Sequence, residues 1–210
     1  MSHTDRLRRI VRGEESLRID ISAATRLGYF LPLTELVASD DVVVQKMTRW
    51  RNENRQAFLT QFEATDERTR RWLQSTVVTA NDRLLLLLYT AEDVLIGQYG
   101  FTGLSDDTVE LDNLIRGERG GDPSLIHHAE HALVDWLFAE FPVQRVVARV
   151  LAGNPFALQL HYDCGFMAEA RLPLRRTVQA DEVQLTVCGE DGDESPDGCY
   201  QVVLVRNHGT

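Results

Sequence analysis

The sequence has no long apolar run, few cysteines and fewer basic than acidic residues, and each of these absences argues against a class of protein. No apolar segment reaches the roughly 18 residues that span a bilayer, and the first residues lack the apolar core of a signal peptide. The formal net charge of -10 argues against a nucleic-acid-binding surface, which is usually basic. Three scattered cysteines are typical of a reducing compartment without a disulfide framework. We therefore expect a cytoplasmic protein that binds neither membranes nor nucleic acids.

The chain of 210 residues is 43% hydrophobic, which is enough to bury one core and makes a single domain the expectation. Residues 1–28 are charged and weakly patterned, and we predict an N-terminal extension there, followed by one domain over residues 29–210. In the tail, two strand-like segments flank an acidic, turn-rich stretch at residues 189–198, which we interpret as a mobile hairpin tip. Strands come first and then alternate with helices, so the predicted class is α/β or α+β with a mixed central sheet.

Residues 109–166 contain the clearest local pattern of the chain. From Val109 to Ile115, apolar and polar side chains alternate as in a strand, so that Glu110 and Asp112 project to one face while Asn113 points to the other. From Pro123 onwards, apolar residues recur three or four positions apart, which predicts a helix with Asp122 as its N-cap. A second strand and a second helix, opened by Asn154, complete the segment.

The loop between that first strand and helix reads RGERGGDPS, and its composition favours phosphate binding. The free amides at a helix N-terminus donate hydrogen bonds to an anion, the helix dipole favours negative charge, and Arg116 or Arg119 can pair with it. Taken alone, such a loop is more often an ordinary connection between a strand and a helix.

The segment NPFALQLHYDCGF resembles the last motif of the GNAT superfamily of N-acetyltransferases, with Asn154, Ala157, Leu160, Gly165 and Phe166 in register. The preceding helix, which ends in DWLF, resembles the cofactor-binding helix of that superfamily. Upstream, WRNENRQAFLTQF and an Ile-Gly pair at positions 96 and 97 resemble the branch of ribosomal-protein and amino-sugar N-acetyltransferases. The resemblance extends over residues 31–174. It implies a twisted, mixed but mostly antiparallel sheet flanked by about four helices, with a V-shaped cofactor cleft between the two central strands.

The resemblance also implies that acetyl-CoA is the cofactor, with its pantetheine arm on the strand backbone and its pyrophosphate in the loop. The implied cofactor contacts are Leu114, Ile115, Arg116, Arg119, Gly120, Gly121, Ser124, Leu125, Asn154 and Ala157. The loop departs from the family pattern, because Ser124 and Ile126 occupy the two small positions and the glycines are shifted to 120 and 121. We expect Ile126 to crowd the approach of the cofactor, although the two arginines preserve the capacity to bind phosphate.

A second departure concerns the acid that protonates the leaving thiolate. The tyrosine of the family falls at His161, and Tyr162 follows one residue later. One residue turns a helical side chain by about 100°, so the two cannot share one role. His161 is the first candidate and Tyr162 the second. The alternative is that His161 is a packing or surface residue and that solvent protonates the thiolate.

Glu110 and Asp112 are the candidates for the base that deprotonates the amine. A partly desolvated carboxylate has a raised pKa and can accept the ammonium proton directly or through water. The alternative is that these carboxylates form salt bridges with Arg83 or Arg149 on neighbouring strands.

The same resemblance places Trp50, Arg51, Asn52 and Asn54 on the acceptor side, where they are candidates for substrate binding. Phe58 and Phe62 are candidates for the lining of the substrate pocket, and their alternative role, which is the commoner one, is to fill the core. His127, His128 and His131 cluster on the predicted helix, and His128 and His131, one turn apart, are a possible metal pair, but no third ligand has a fitting spacing. We therefore predict a solvated helix face and no metal site.

Three functions are compatible with these residues. The first is acetyl transfer to a primary amine of a small molecule, such as an amino sugar or its nucleotide, and the long tail favours it by covering a site. The second is acetylation of a protein N-terminus, and the third is a non-catalytic acyl-CoA-binding module. The tail strands could also pair across a homodimer, because open sheet edges invite partners.

Overall fold

The computed structural model describes residues 3–209 and contains one ten-stranded sheet with helices on both of its faces. The α-helices of this region are α1 (His3–Val11), α2 (Asp41–Glu53), α3 (Asp66–Trp72), α4 (Leu125–Glu140) and α5 (Pro155–Asp163). The strands are β1 (Ile19–Ser22), β2 (Arg26–Pro32), β3 (Thr60–Gln61), β4 (Leu84–Thr90), β5 (Leu95–Thr102), β6 (Thr108–Arg116), β7 (Arg145–Leu151), β8 (Met167–Gln179), β9 (Glu182–Val187) and β10 (Cys199–Asn207). No helix among the described residues combines the length and apolarity needed to cross a bilayer.

The strand order is β1-β2-β4-β5-β6-β7-β10-β8-β9-β3, and within it only β6 and β7 run parallel. The apolar run of β4 explains how the sheet is covered on both faces. Its even-numbered residues Leu84, Leu86 and Leu88 pack into the core under α1 and α4, whereas Leu85 and Leu87 pack under α2. The predicted mixed, mostly antiparallel sheet with flanking helices is confirmed.

The central strands β6 and β7 pair over only four residues and then diverge. The pairing runs from Thr108 opposite Arg145 to Leu111 opposite Ala148, after which each strand continues without the other. A bulge accompanies the divergence: Asn113 has a φ of 58°, and the β5 register jumps from Gly100–Asp112 to Gln98–Ile115. The β6 edge that faces β7 is therefore open beyond residue 111, and the predicted V-shaped cleft is confirmed.

Residues 3–28, for which the sequence indicates an extension, contribute helix α1, strand β1 and the start of strand β2 to the same core. In α1, Leu7, Ile10 and Val11 are spaced three and one apart, form one apolar face and are buried. Strand β1 pairs with β2 through Ile19 opposite Phe30. The amphipathic pattern of α1 is short and is surrounded in the sequence by charged residues, which lie on the solvent side of the helix. The segment therefore reads as weakly patterned.

The acidic stretch at residues 189–198 is not the tip of a hairpin between β9 and β10. Strand β8 lies between these two strands and pairs with both, so the stretch crosses β8 to reach the other side. It is held there by hydrogen bonds along β8: the amides of Arg171 and Arg176 donate to Asp191 and Asp197. Two carboxylates of the acidic stretch therefore serve as hydrogen-bond acceptors for backbone amides of β8.

Trp50 belongs to the core rather than to a cavity wall. Its side chain is fully buried, and its indole nitrogen donates to Glu118 Oε1 at 3.3 Å. The ring packs directly on Gly117, where a Cβ atom would lie 2.1 Å from it. The resemblance places Trp50 at the substrate, whereas the structure places it among the residues that anchor α2 to the end of β6.

This contact predicts a large effect of a small substitution. Gly117→Ala should lower the free energy of unfolding by about 1–3 kcal/mol, because the added methyl group overpacks the tryptophan. Gly153→Ala is the matched control, since a Cβ atom there meets nothing within 4 Å. Urea denaturation of both variants tests the prediction, and equal stabilities would contradict it.

Candidate active site

Two cavities adjoin where β6 bulges. The strand cleft, of about 330 Å³, lies between the diverging strands and is lined by residues of β6, β7 and α5. The side chamber, of about 380 Å³, lies on the other side of β6 and is lined from α2, α3 and the segment between them. Both cavities share the lining residues Arg51, Phe58, Thr60, Asp112 and Asn113. A molecule in one cavity is therefore in reach of a molecule in the other.

The loop that follows β6 has the features of an anion site. Gly120 and Gly121 have φ angles of 127° and 67°, a region that favours glycine, and the Arg116 guanidinium donates to the Gly120 carbonyl at 2.7 Å. Arg119 is exposed and forms no ion pair within the described residues. This arrangement leaves both arginines at the mouth of the loop.

Helix α4 begins at Leu125, two residues later than the sequence pattern predicts. Asp122 is not its N-cap, because the Asp122 carboxylate instead accepts the amide and the hydroxyl of Ser124 in a turn before the helix. The Leu125 amide donates to the Asp122 carbonyl and the His128 amide to the Ser124 carbonyl. The intervening amides, of Ile126 and His127, have no acceptor within the described residues and can serve an anion.

One predicted cofactor contact, Leu125, has a fully buried side chain, which packs in the core and reaches the loop at Gly121. Ile126 is partly buried and packs against the same core. The expected crowding of the cofactor by Ile126 remains a prediction. On the opposite wall of the strand cleft, Asn154 caps α5 by accepting the Ala157 amide at 3.2 Å, and both residues line the cleft.

These observations fit a coenzyme A thioester. The edge of β6 that β7 leaves unpaired beyond Leu111 offers backbone groups to an amide-bearing chain such as pantetheine. The loop offers two arginines and two free amides to a pyrophosphate. The two sites are consecutive in the chain, so one extended molecule can occupy both.

A buried polar cluster lies at the inner wall of the strand cleft. His161 is 5% exposed and its Nδ1 lies 2.8 Å from Oε1 of Glu130, which is completely buried. The hydroxyl of Tyr99 donates to the other carboxylate oxygen at 3.2 Å. Because a carboxylate only accepts hydrogen bonds, His161 donates through Nδ1, and Nε2 is the nitrogen left for a reactant in the cleft.

Glu130 and Tyr99 are the members of this cluster that sequence reasoning missed. A signal was present, because Glu130 falls on the apolar face of α4 beside Ala129, Leu133 and Val134. A carboxylate on a buried helix face needs a partner, which His161 and Tyr99 supply. Burial and the neighbouring carboxylate raise the pKa of Tyr99 well above its usual value, so its phenol stays protonated. Tyr162, by contrast, is 44% exposed and lies outside the lining of the cleft.

Both predicted base candidates line the strand cleft, but their surroundings differ. Glu110 forms an ion pair with Arg149 of β7. Asp112 accepts a hydrogen bond from the Asn113 side chain at 2.6 Å and lies 3.8 Å from an Arg83 nitrogen. Asn113 thus reaches the same side as Asp112, because its left-handed backbone interrupts the alternation. Burial raises the pKa of Asp112 despite the neighbouring arginine.

The remaining acceptor-side candidates divide by their contacts. Arg51 and Phe58 line both cavities, and the Arg51 guanidinium stacks on the Phe58 ring at 3.5 Å. Asn52 lines neither cavity, since its amide group bonds the backbone of Ala64 in both directions, at 2.9 and 2.7 Å. Asn52 therefore positions the segment that carries Phe58.

The histidine group of α4 has a neighbour that spacing did not reveal. Cys164, at the end of α5, brings its sulfur 3.7 Å from His127 Nδ1, and the ligand atoms of these residues and His131 lie within 4.8 Å of one another. Burial raises the pKa of the Cys164 thiol, and burial and nearby positive charge, including Arg206, lower that of His131. A protonated thiol beside an arginine is a poor cation ligand, and the absence of a metal site remains a prediction.

Comparison with known proteins identifies the family. Residues 31–167 match the family described as "Acetyltransferase (GNAT) domain". A GNAT-family acetyltransferase from Bacillus anthracis has a TM-score of 0.64 at 12% identity, covering 91% of this chain and 98% of its own. The Salmonella typhimurium enzyme that modifies the N-terminal serine of ribosomal protein L7/L12 has a TM-score of 0.63 at 12% identity, covering 91% and 99%.

A third solved structure is spermidine N-acetyltransferase from Vibrio cholerae in complex with CoA and spermine. It has a TM-score of 0.57 at 14% identity, covering 86% of this chain and 95% of its own. A comparison with curated proteins finds no match. The family match spans most of the chain and includes the open strand, the loop and α5, so the chain belongs to the GNAT family of acetyltransferases, which acetylate amines with acetyl-CoA.

Proposed function

We propose that this enzyme transfers the acetyl group of acetyl-CoA to a primary amine of a small molecule, by direct attack when both are bound. The observation that carries the proposal is the junction of the two cavities at Asp112. The strand cleft holds the thioester and the side chamber holds the amine. The carboxylate that both cavities share has a pKa raised by burial, as a base for an ammonium proton requires.

Acetyl-CoA, when bound, supplies the acetyl group as a thioester. The chain holds it through the open β6 edge, the loop with its arginines, the first amides of α4, and the α5 wall at Asn154 and Ala157. Many of these contacts are made by backbone groups, so the loop can depart from the family pattern and keep its role while Arg116 and Arg119 add charged donors.

Two side chains handle protons. Asp112 accepts the proton of the ammonium group and so produces the neutral amine that attacks. His161 holds a proton at Nε2 for the departing sulfur, and Glu130 stabilises the positively charged imidazole that delivers it. The two groups line the same cleft, which allows one to act on the nucleophile and the other on the leaving group.

Direct attack is favoured because no cysteine lines either cavity. Cys164 is buried on α5 with a raised pKa, and a protonated, enclosed thiol is a weak nucleophile. Initial rates at varied acetyl-CoA and amine should give intersecting double-reciprocal lines. Parallel lines, or an acetylated enzyme in mass spectra, would overturn the mechanism.

A small amine is favoured over a protein N-terminus because the tail packs against the strand and helix that line one side of the chamber. Thr60 and Gln61 of β3 pair with Gln184 and Val183 of β9, and Arg68 forms an ion pair with Glu182 at 3.0 Å. An open peptide groove would need this side free. Kinetic comparison of small primary amines with short peptides tests the choice, and a higher kcat/KM for peptides would overturn it.

The loop arginines give a prediction for cofactor affinity. Arg116→Ala and Arg119→Ala should each weaken acetyl-CoA binding by roughly tenfold, because each removes a charged hydrogen-bond donor from a phosphate site. Arg175→Ala, an exposed arginine of β8 outside both cavities, is the control. Isothermal titration calorimetry measures all three, and unchanged affinity in both loop variants would contradict the assignment.

A further inference from the structure

The side chamber has an excess of positive charge. Its lining contains Arg51, Arg68 and Arg83 but a single carboxylate, that of Asp112. Arg68 is paired with Glu182 at 3.0 Å, and Arg83 lies 3.8 Å from Asp112. Arg51 forms no ion pair within the described residues, although it lines both cavities. Asp112 attracts Arg51 across the junction, but no carboxylate among the described residues pairs with it directly.

The contacts of Arg51 hold it in place without neutralising it. One terminal nitrogen, Nη2, donates to the Thr60 carbonyl at 2.6 Å, and the guanidinium stacks on Phe58. The other, Nη1, is buried and has no acceptor. Burial, followed by the charge of Arg68, lowers the pKa of Arg51 to about 10, so the group is still charged at neutral pH. A buried cation with a free donor is unfavourable until an anion pairs with it.

We infer that the amine substrate carries an anionic group, a carboxylate or a phosphate, which Arg51 binds in the side chamber while the amine lies at Asp112. The inference rests on the proposed function and specifies its substrate class. A planar guanidinium held by stacking is suited to the oxygens of both anions. The rings of Phe58, Phe62 and Trp72 line the same chamber and can contact the uncharged part of the molecule.

The same charges disfavour a polycation. The second ammonium group of a polyamine would lie in a chamber with three arginines and one carboxylate. The substrate of this chain should therefore differ from the spermine present in the Vibrio cholerae complex.

The test uses the full chain at saturating acetyl-CoA and acceptor pairs that differ in one charge. The pairs are glucosamine phosphate against glucosamine, and an amino acid against its amide, with spermidine as the cationic member. The expected kcat/KM is roughly tenfold or more higher for the anionic member of at least one pair, as a charge-assisted hydrogen bond provides. The first pair reports on phosphate and the second on carboxylate.

Variants assign the preference to Arg51. The ratio of kcat/KM between the anionic and neutral members should fall towards unity in Arg51→Gln and be largely kept in Arg51→Lys. Arg55→Gln, an exposed arginine that lines neither cavity, should keep the wild-type ratio. A ratio within one protein is insensitive to the fraction that is folded, and melting temperatures are measured alongside.

The outcomes separate this inference from the proposed function. Turnover of neutral and anionic amines at equal kcat/KM, or preference for spermidine, would overturn the anion site and leave acetyl transfer intact. A preference that survives in Arg51→Gln would overturn the role of Arg51. Absence of turnover with every small amine would overturn the proposed function and this inference with it.

Discussion

His161→Ala should lower kcat by about 10²- to 10⁴-fold while acetyl-CoA affinity stays close to that of the wild type. In the proposed mechanism the buried imidazole donates the proton, and no other described side chain with a suitable proton occupies its position: Tyr99 is bound to Glu130 and its pKa is raised. Steady-state kinetics and calorimetry on one preparation measure the two quantities. Equal losses in affinity and in kcat would indicate a collapsed cleft rather than a lost acid.

Glu130→Gln tests whether the negative charge of Glu130, rather than its volume, supports the function of His161. The amide retains the volume and one acceptor but no longer stabilises an imidazolium, so kcat should fall while acetyl-CoA affinity stays close to that of the wild type. Tyr162→Phe is the control, because its hydroxyl lies on an exposed face of α5, and kcat should stay within about twofold of the wild type. A larger loss in Tyr162→Phe than in His161→Ala would exchange their roles.

Asp112→Asn should lower kcat/KM by about 10²- to 10⁴-fold, because the amide cannot accept the ammonium proton. The pH profile of the wild-type enzyme carries the same information. A base acts when deprotonated, so activity should fall as the pH drops through the pKa of Asp112. Since burial raises that pKa, the acid limb should lie above the range of an ordinary carboxyl group.

Asp112→Asn should lower activity, but it should not lower the stability of the fold. The raised pKa means that the folded state binds a proton more readily than the unfolded state, so charged Asp112 destabilises the fold above its pKa. This contribution grows as the pH rises from the ordinary carboxyl pKa through the raised one. Asp112→Asn should therefore be at least as stable as the wild type at neutral pH. A variant that is both inactive and much less stable would point to a structural role through Arg83 instead.

Glu110→Gln completes the comparison of the two carboxylates. Glu110 forms an ion pair with Arg149 on the neighbouring strand β7. Removing the charge of Glu110 should loosen this contact in the lining of the strand cleft, so the substitution should affect KM more than kcat. A fall in kcat as deep as that of Asp112→Asn would transfer the role of base to Glu110.

Local signals in the sequence predicted the elements that depend on near neighbours. A continuous run of leucines such as that of β4 is typical of a strand buried on both faces, and the structure packs alternate residues of β4 into two cores. Asn154, predicted to open the second helix of the segment, accepts an amide in the first turn of α5. The motif around Asn154 also led to the family, because it lies in α5 beside the cleft.

Features that depend on distant partners were not visible in the sequence. The left-handed conformation of Asn113 follows from the register between β5 and β6, which no local pattern specifies. Glu130 meets His161 across 31 positions of the chain, and Cys164 meets His127 across 37. The order of the tail strands likewise depends on tertiary pairing, because β8 lies between β10 and β9 and pairs with both. Each case requires the tertiary arrangement, because the residue types alone allow several pairings.

The central claim is that the chain moves an acetyl group from acetyl-CoA to an amine across the junction at Asp112. The direct measurement incubates the protein with acetyl-CoA and a panel of neutral, anionic and cationic primary amines, and quantifies free CoA thiol and acetylated amine in the same sample. We expect equal molar amounts of both products, saturation in each substrate, and loss of both in Asp112→Asn and His161→Ala. Thiol release without acetylated amine, or no amine-dependent release across the whole panel, would contradict the account.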